Sequence, residues 1–249
     1  MCTCSPSCRR RRLPCARRAF TLVEVLVTVG VISVLITMLL PTLASARAQA
    51  ERTACLSNLR QLAVAFTMYL NENGGRFPRP AQHLVPKPED WIYHQPGRDR
   101  ECGTIARYVS RRFDARLYRC PSDDVASHPA LPSIFLGAPP TRYDYSYTVN
   151  EYICRLWPSP TLRINQVRNP SEKILLIDES ARTIDDGCWA WQPNQGGGKN
   201  VLSNRHDRKS ENPQRADAGR GNVAFADGHA EFLSRQDSYE RRHYDPTMR

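Results

Sequence analysis

From residue 20 to residue 40 the chain runs for 21 residues with a single charge, Glu24. At about 1.5 Å per residue, a helix over this run is about 30 Å long, the thickness of a bilayer's hydrocarbon core. Beyond Pro41 the pattern changes character without losing its helical period. Leu56, Leu59, Leu62, Ala63, Phe66, Tyr69 and Leu70 recur at three- and four-residue intervals and form one apolar stripe. Asn73-Gly74-Gly75 supplies a stop, and Pro78 forbids continuation. The pattern therefore predicts one long helix over residues 20–74, lipid-spanning over 20–40 and an amphipathic stem over 41–74.

The remaining residues, 75–249, read as a globular domain. Residues 76–100 are Pro-rich, with Trp91 and Tyr93 as aromatic anchors, and residues 104–113 suit a short helix. Cys120-Pro121-Ser122-Asp123-Asp124 reads as a turn. Aromatic and polar residues alternate over 143–149, residues 173–178 read as a buried strand around the apolar run 174–177, and 182–200 is loop-like. Two short apolar runs, 222–226 and 229–233, flank Asp227-Gly228, the signature of a two-residue hairpin turn. In that register 225 faces 230 and 223 faces 232, which puts Val223, Phe225, Ala230 and Phe232 on one face. The fold class expected is α+β: a long N-terminal helix packed on an antiparallel sheet.

Charge divides the chain at its start. Residues 1–19 carry six arginines and no acidic residue, so the net charge of +10 falls to +4 without them. Such a cluster ahead of an apolar run holds a leader on the cytoplasmic side. The arginines that remain are scattered, and nucleic acid is not an expected partner. Glu24 stands out, because a carboxylate in lipid costs roughly 2.5–3.5 kcal/mol at the bilayer centre and calls for a partner. Of nine cysteines, Cys2, Cys4, Cys8 and Cys15 lie in the leader. Cys55, Cys102, Cys120, Cys154 and Cys188 remain; five thiols allow at most two bridges, the pairing stays open, and Cys55 on the stem is the first candidate for a free thiol.

The Ala19-Phe20-Thr21-Leu22-Val23-Glu24 junction, with its basic leader and apolar run, resembles the type IV prepilin N-terminus of pilins and type II secretion pseudopilins. The resemblance implies cleavage between Ala19 and Phe20 by a prepilin peptidase, methylation of Phe20, and Glu24 as the family's assembly residue. Pro41 stands where the family's helix is commonly kinked, and Ala19 replaces the usual Gly. A plain signal anchor gives no reason for Glu24. A secretory signal cut after Ala44-Ser45-Ala46 does not suit the length of the apolar run. Further on, Cys120-Pro121-Ser122-Asp123, Asn169-Pro170-Ser171, Arg205-His206 and 222–229 resemble prepilin-type proteins with a C-terminal His-x9-Asp-Gly region. The stem from Cys55 to Leu62 belongs to the same resemblance. Here 20 residues separate His206 from Asp227, so residues 207–221 read as an inserted loop.

The candidate chemistry is sparse. His206, Asp227 and His229 converging at a hairpin end would suit zinc or a similar ion. Asp178, Glu179, Asp185 and Asp186 form an acidic set of the kind that binds calcium, and the resemblance to calcium-stabilised pseudopilins leaves calcium or another divalent metal open; no cofactor is otherwise expected. Asp123-Asp124 lies in a turn, where adjacent carboxylates seldom converge. No catalytic motif occurs, and Gly196-Gly197-Gly198 lacks the strand-to-helix setting of a phosphate loop. The expectation is a non-enzymatic pilin or pseudopilin, single-pass in the inner membrane, with its C-terminal domain periplasmic or extracellular. Its partners would be the peptidase, other pilin subunits and an inner-membrane assembly platform, and it would end in a surface filament. The alternative is a membrane-anchored, metal-dependent binding or hydrolytic domain on a prepilin-type anchor. A tip-located minor pilin gripping DNA or polysaccharide is a third reading, from the aromatic loops alone.

Overall fold

The structure, a computed structural model, describes residues 21–82, 86–95, 97–110, 112–130, 142–156, 158–191, 200–207 and 218–248. Ala19, Phe20 and the glycine run 196–198 lie outside the described residues. The chain divides into two compact units, one ending at Ala46 and the other Arg47–Arg249.

Helix α1, Leu22–Glu72, is 51 residues long and contains Pro41 in its interior. Its first part is apolar enough to cross a membrane, and the most apolar window buries none of its residues. Its start is locally specified. Thr21 donates through its backbone N–H and its Oγ1 to Glu24 Oε2, each at 2.8 Å, while Glu24 N–H donates back to Thr21 Oγ1 at 3.2 Å. This is a reciprocal capping box, which satisfies donors that a helix start leaves unpaired. The end is equally specified. Gly74 and Gly75 take positive φ, and Gly75 N–H bonds to the Leu70 carbonyl at 2.7 Å, the six-to-one bond of a Schellman stop.

In the second unit the stem buries Cys55, Leu59, Leu62, Ala63, Phe66 and Leu70, nearly the stripe read from the sequence. It covers one face of a five-stranded sheet ordered β3-β1-β2-β4-β5, with β1 Tyr147–Asn150, β2 Ile174–Asp178, β3 Cys188–Trp189, β4 Arg220–Phe225 and β5 Ala230–Ser234. The α+β architecture is the expected one, an arrangement like that of pilins. The sheet, however, is mixed rather than antiparallel, because β3 pairs parallel to β1. That short strand falls inside the stretch expected to be loop. Of the expected helix over 104–113, only the single turn α2, Ala106–Val109, forms.

The hairpin differs from expectation by one residue. Ala224 pairs with Ala230 and Asn222 with Phe232, so the connection is longer than two residues. Gly228 N–H bonds to the Phe225 carbonyl at 3.0 Å, Phe225 N–H bonds to the His229 carbonyl at 2.9 Å, and Gly228 sits at φ +99°. A tight turn closed by a left-handed glycine makes the three-residue hairpin loop. Because side chains alternate, that one-residue slip exchanges the faces. Ala224, Ala226 and Ala230 face the stem, whereas Val223 and Phe225 pack with Ile174, Ile177, Trp189 and Leu202 on the opposite side. Both faces of β4 are buried, so an alternation of apolar and polar residues could not reveal its inward side.

Candidate metal centre

Four chemistry-bearing side chains meet where the stem crosses the sheet. Cys55 comes from the middle of α1. Cys120 follows the short 3-10 turn Ala115–Tyr118 and opens the Cys-Pro-Ser-Asp turn. Asp178 is the last residue of β2, and His206 lies in the segment that returns beside it through the Glu179–Leu202 bridge. One ligand atom from each of the four lies within 4.8 Å of every other. Cys120 Sγ is 3.0 Å from His206 Nε2, Cys55 Sγ 3.7 Å from Asp178 Oδ2, and His206 Nε2 3.8 Å from the same oxygen. Cys55 and Asp178 are fully buried, and the side chains of Cys120 and His206 are nearly so.

The register explains the convergence. Tyr147 pairs with Asp178 across β1 and β2, and both side chains point to the stem. Tyr147 donates its hydroxyl to Cys55 Sγ at 3.4 Å. Cys120 is held by its backbone N–H on Ser146 Oγ, 2.8 Å. Arg205, next in the chain to His206, forms a buried ion pair with Asp123, donates to the Glu179 carbonyl at 2.6 Å and lies 3.7 Å from Asp178 Oδ1. Asp123 also receives Ser146 Oγ at 2.5 Å and contacts His128 Nε2 at 3.1 Å.

Electrostatics follow from burial. Loss of solvent pushes the Asp178 carboxyl up to about 7, partly offset by Arg205. Burial, and then the Arg205 charge, push His206 down to about 4, so its imidazole is neutral and keeps a lone pair. The hydrogen bond to Cys55, then burial, and then the Asp178 charge hold the Cys120 thiol far up. Asp123 behaves differently. Burial raises it, but His128, Arg205 and Ser146 together bring it below the usual carboxylate range.

The residues singled out in the sequence are placed as follows. His206 is in this cluster. Asp227 and His229 are not: they stand in the exposed hairpin loop, where His229 Nδ1 lies 2.6 Å from Asp227 Oδ1. Gly228 shares that loop. Among the described residues no other group of His, Cys, Asp and Glu has metal-ligand proximity. The acidic set is dispersed as well. Asp178 enters the cluster, whereas Glu179 turns to the other side of the sheet and accepts from Thr148, Thr183 and Asn200, each at 2.9 Å. Asp186 accepts the Cys188 N–H at 2.9 Å. All five cysteines after the leader are free thiols. Cys55 and Cys120 were not read as metal ligands from the sequence, and Asp178 was read only within the acidic set considered for calcium. The usable signal was that three short segments quoted for the second resemblance each hold one donor residue.

At the other end of the chain, Glu24 and Pro41 lie on α1, and the junction with its helix permits a comparison with known families. Residues 15–40 match the prokaryotic N-terminal methylation motif. That match supports a type IV pilin-like precursor. That motif implies processing by a prepilin peptidase and assembly with other pilin subunits, and with one apolar N-terminal helix it fits a membrane-anchored pilin. The comparisons with curated proteins and with solved structures found no match. The alternative, a membrane-anchored metal-dependent binding or hydrolytic domain, is not favoured by that motif.

Proposed function

We propose that this pilin-like precursor is a structural filament subunit of a type IV pilus or type II secretion-like system. The methylation motif over residues 15–40 is the observation that carries this reading. The leader 1–19 is removed between Ala19 and Phe20, and Phe20 is methylated. Residues 20–40 anchor the subunit in the inner membrane, 41–74 form the stem, and 75–249 stand on the periplasmic or extracellular side. During assembly, supported by the inner-membrane platform, the apolar segment leaves lipid and packs against neighbouring subunits, with Pro41 at the transition to the stem. Glu24 then takes the amino group of Phe20 on an adjacent subunit as its partner. Burying two opposite charges together avoids the penalty of burying either alone. Before assembly the Thr21–Glu24 capping box occupies the same carboxylate.

The test is the mass of the mature N-terminus together with filament recovery. The expected product begins with methylated Phe20, and Glu24→Ala is expected to insert and be processed normally yet give few or no filaments. A mature chain beginning at Arg47, or normal filament yield from Glu24→Ala, would overturn the proposal.

A further inference from the structure

We infer that Cys55, Cys120, Asp178 and His206 form a four-coordinate structural site for a zinc-type divalent ion. Thiolate, imidazole and carboxylate are the donors zinc takes, at about 2.0–2.3 Å; tetrahedral geometry then puts donor atoms roughly 3.3–3.8 Å apart. Two separations, 3.7 and 3.8 Å, fall at the upper end of that interval, Cys120 to His206 is shorter at 3.0 Å, and all four donors lie within 4.8 Å of one another, so small side-chain adjustments would close them on an ion.

An independent observation points the same way. Asp178 is completely buried, and its Oδ1 has no hydrogen-bond donor among the described residues. Its Oδ2 faces the Cys55 thiol at 3.7 Å and His206 at 3.8 Å, and the Arg205 guanidinium comes no closer to Oδ1 than 3.7 Å. A buried carboxylate supplied with partners this weak is destabilising unless a cation or strong donors satisfy it. The charges also balance. Binding sends the thiol protons of Cys55 and Cys120 to solvent, and a divalent ion with two thiolates and the Asp178 carboxylate leaves one net negative charge. The Arg205 guanidinium, 3.7 Å from Asp178 Oδ1, offsets it.

The four ligands belong to the stem, the Cys-Pro-Ser-Asp turn, β2 and the returning segment, so one ion would staple the stem to the sheet. With no open coordination position its role is structural rather than catalytic.

The experiment uses the full chain purified in detergent from membranes without chelator, with zinc measured by mass spectrometry and thiols by alkylation. The expected result is about one zinc per chain. Asp178→Asn and His206→Gln are expected to lower zinc retention tenfold or more, and Cys188→Ser to leave it unchanged. Cobalt(II) substitution of the unaltered chain is expected to give thiolate-to-metal charge transfer and tetrahedral visible bands, a readout independent of whether variants fold. A Cys55–Cys120 disulfide would overturn the inference. So would alkylatable thiols without zinc after reconstitution, or a cobalt spectrum of oxygen ligation alone.

Discussion

Glu151 is the first residue of the short helix α3, Glu151–Cys154, whose N-cap Asn150 accepts the Tyr152 N–H at 2.8 Å. Burial, followed by the charge of Asp186, raises the Glu151 carboxyl from its usual 4.5 to about 7. The folded chain therefore keeps a proton that the unfolded chain releases between those values. Stability from this group is complete below about pH 4.5 and declines as pH rises to about 7. Glu151→Gln removes that decline. The variant is expected to gain on the native chain between pH 4.5 and pH 8, as read from urea midpoints of both proteins in detergent. Identical pH slopes would contradict the assignment. At this scale the sequence was informative where chemistry is local: Asn73-Gly74-Gly75 announced the helix stop. Thr21-x-x-Glu24 is equally local, a capping box that can be read from four residues. Yet the acidity of Glu151 depends first on burial and then on Asp186, both of which only the fold supplies.

Strand β4 shows how elements constrain one another. A side chain on Gly221 would collide with the Ser203 carbonyl oxygen and come within 2.7 Å of Leu202 Cγ. Backbone cannot yield as a flexible side-chain end can, so Gly221→Ala forces β4 away from the 202–203 segment. Overpacking of this kind costs typically about 1–3 kcal/mol, occasionally more. The expected outcome is a lowered melting temperature, larger than for an alanine at Arg220, whose residue is exposed on the same strand. Equal losses at the two positions would show that the contact yields freely. The stem stripe was legible because it repeats a period over several residues, and the strand at 174–178 because it opens with an unbroken apolar run. The hairpin register was not, because both faces of β4 are buried and a three-residue loop exchanges them. The four residues of the candidate metal centre come from four segments with no local spacing to announce them, and long-range pairing alone brings Cys55 and His206 together.

The whole molecule consists of two compact units that differ in how much apolar surface they bury. In the first, the window most suited to a bilayer buries nothing, and Leu22, Leu26, Val29, Leu35 and Leu40 are all exposed. The second, Arg47–Arg249, contains the core residues from Cys55 to Ala230 and the whole sheet. Its helix segment begins with a surface ion pair, Arg47 with Glu51 at 3.0 Å, and residues 41–47 around the boundary are all exposed. The second unit thus has an apolar core of its own, and under the proposed function the first draws its stability from lipid or neighbouring subunits. A chain starting at Arg47 is expected to be soluble without detergent and to unfold cooperatively. Its melting temperature is expected within a few degrees of the full chain's, and it is expected to be absent from filaments. Aggregation of the purified fragment, or loss of cooperative unfolding, would mean that the stem needs residues before Arg47 to hold the sheet. Incorporation into filaments would instead remove the apolar helix from the centre of assembly.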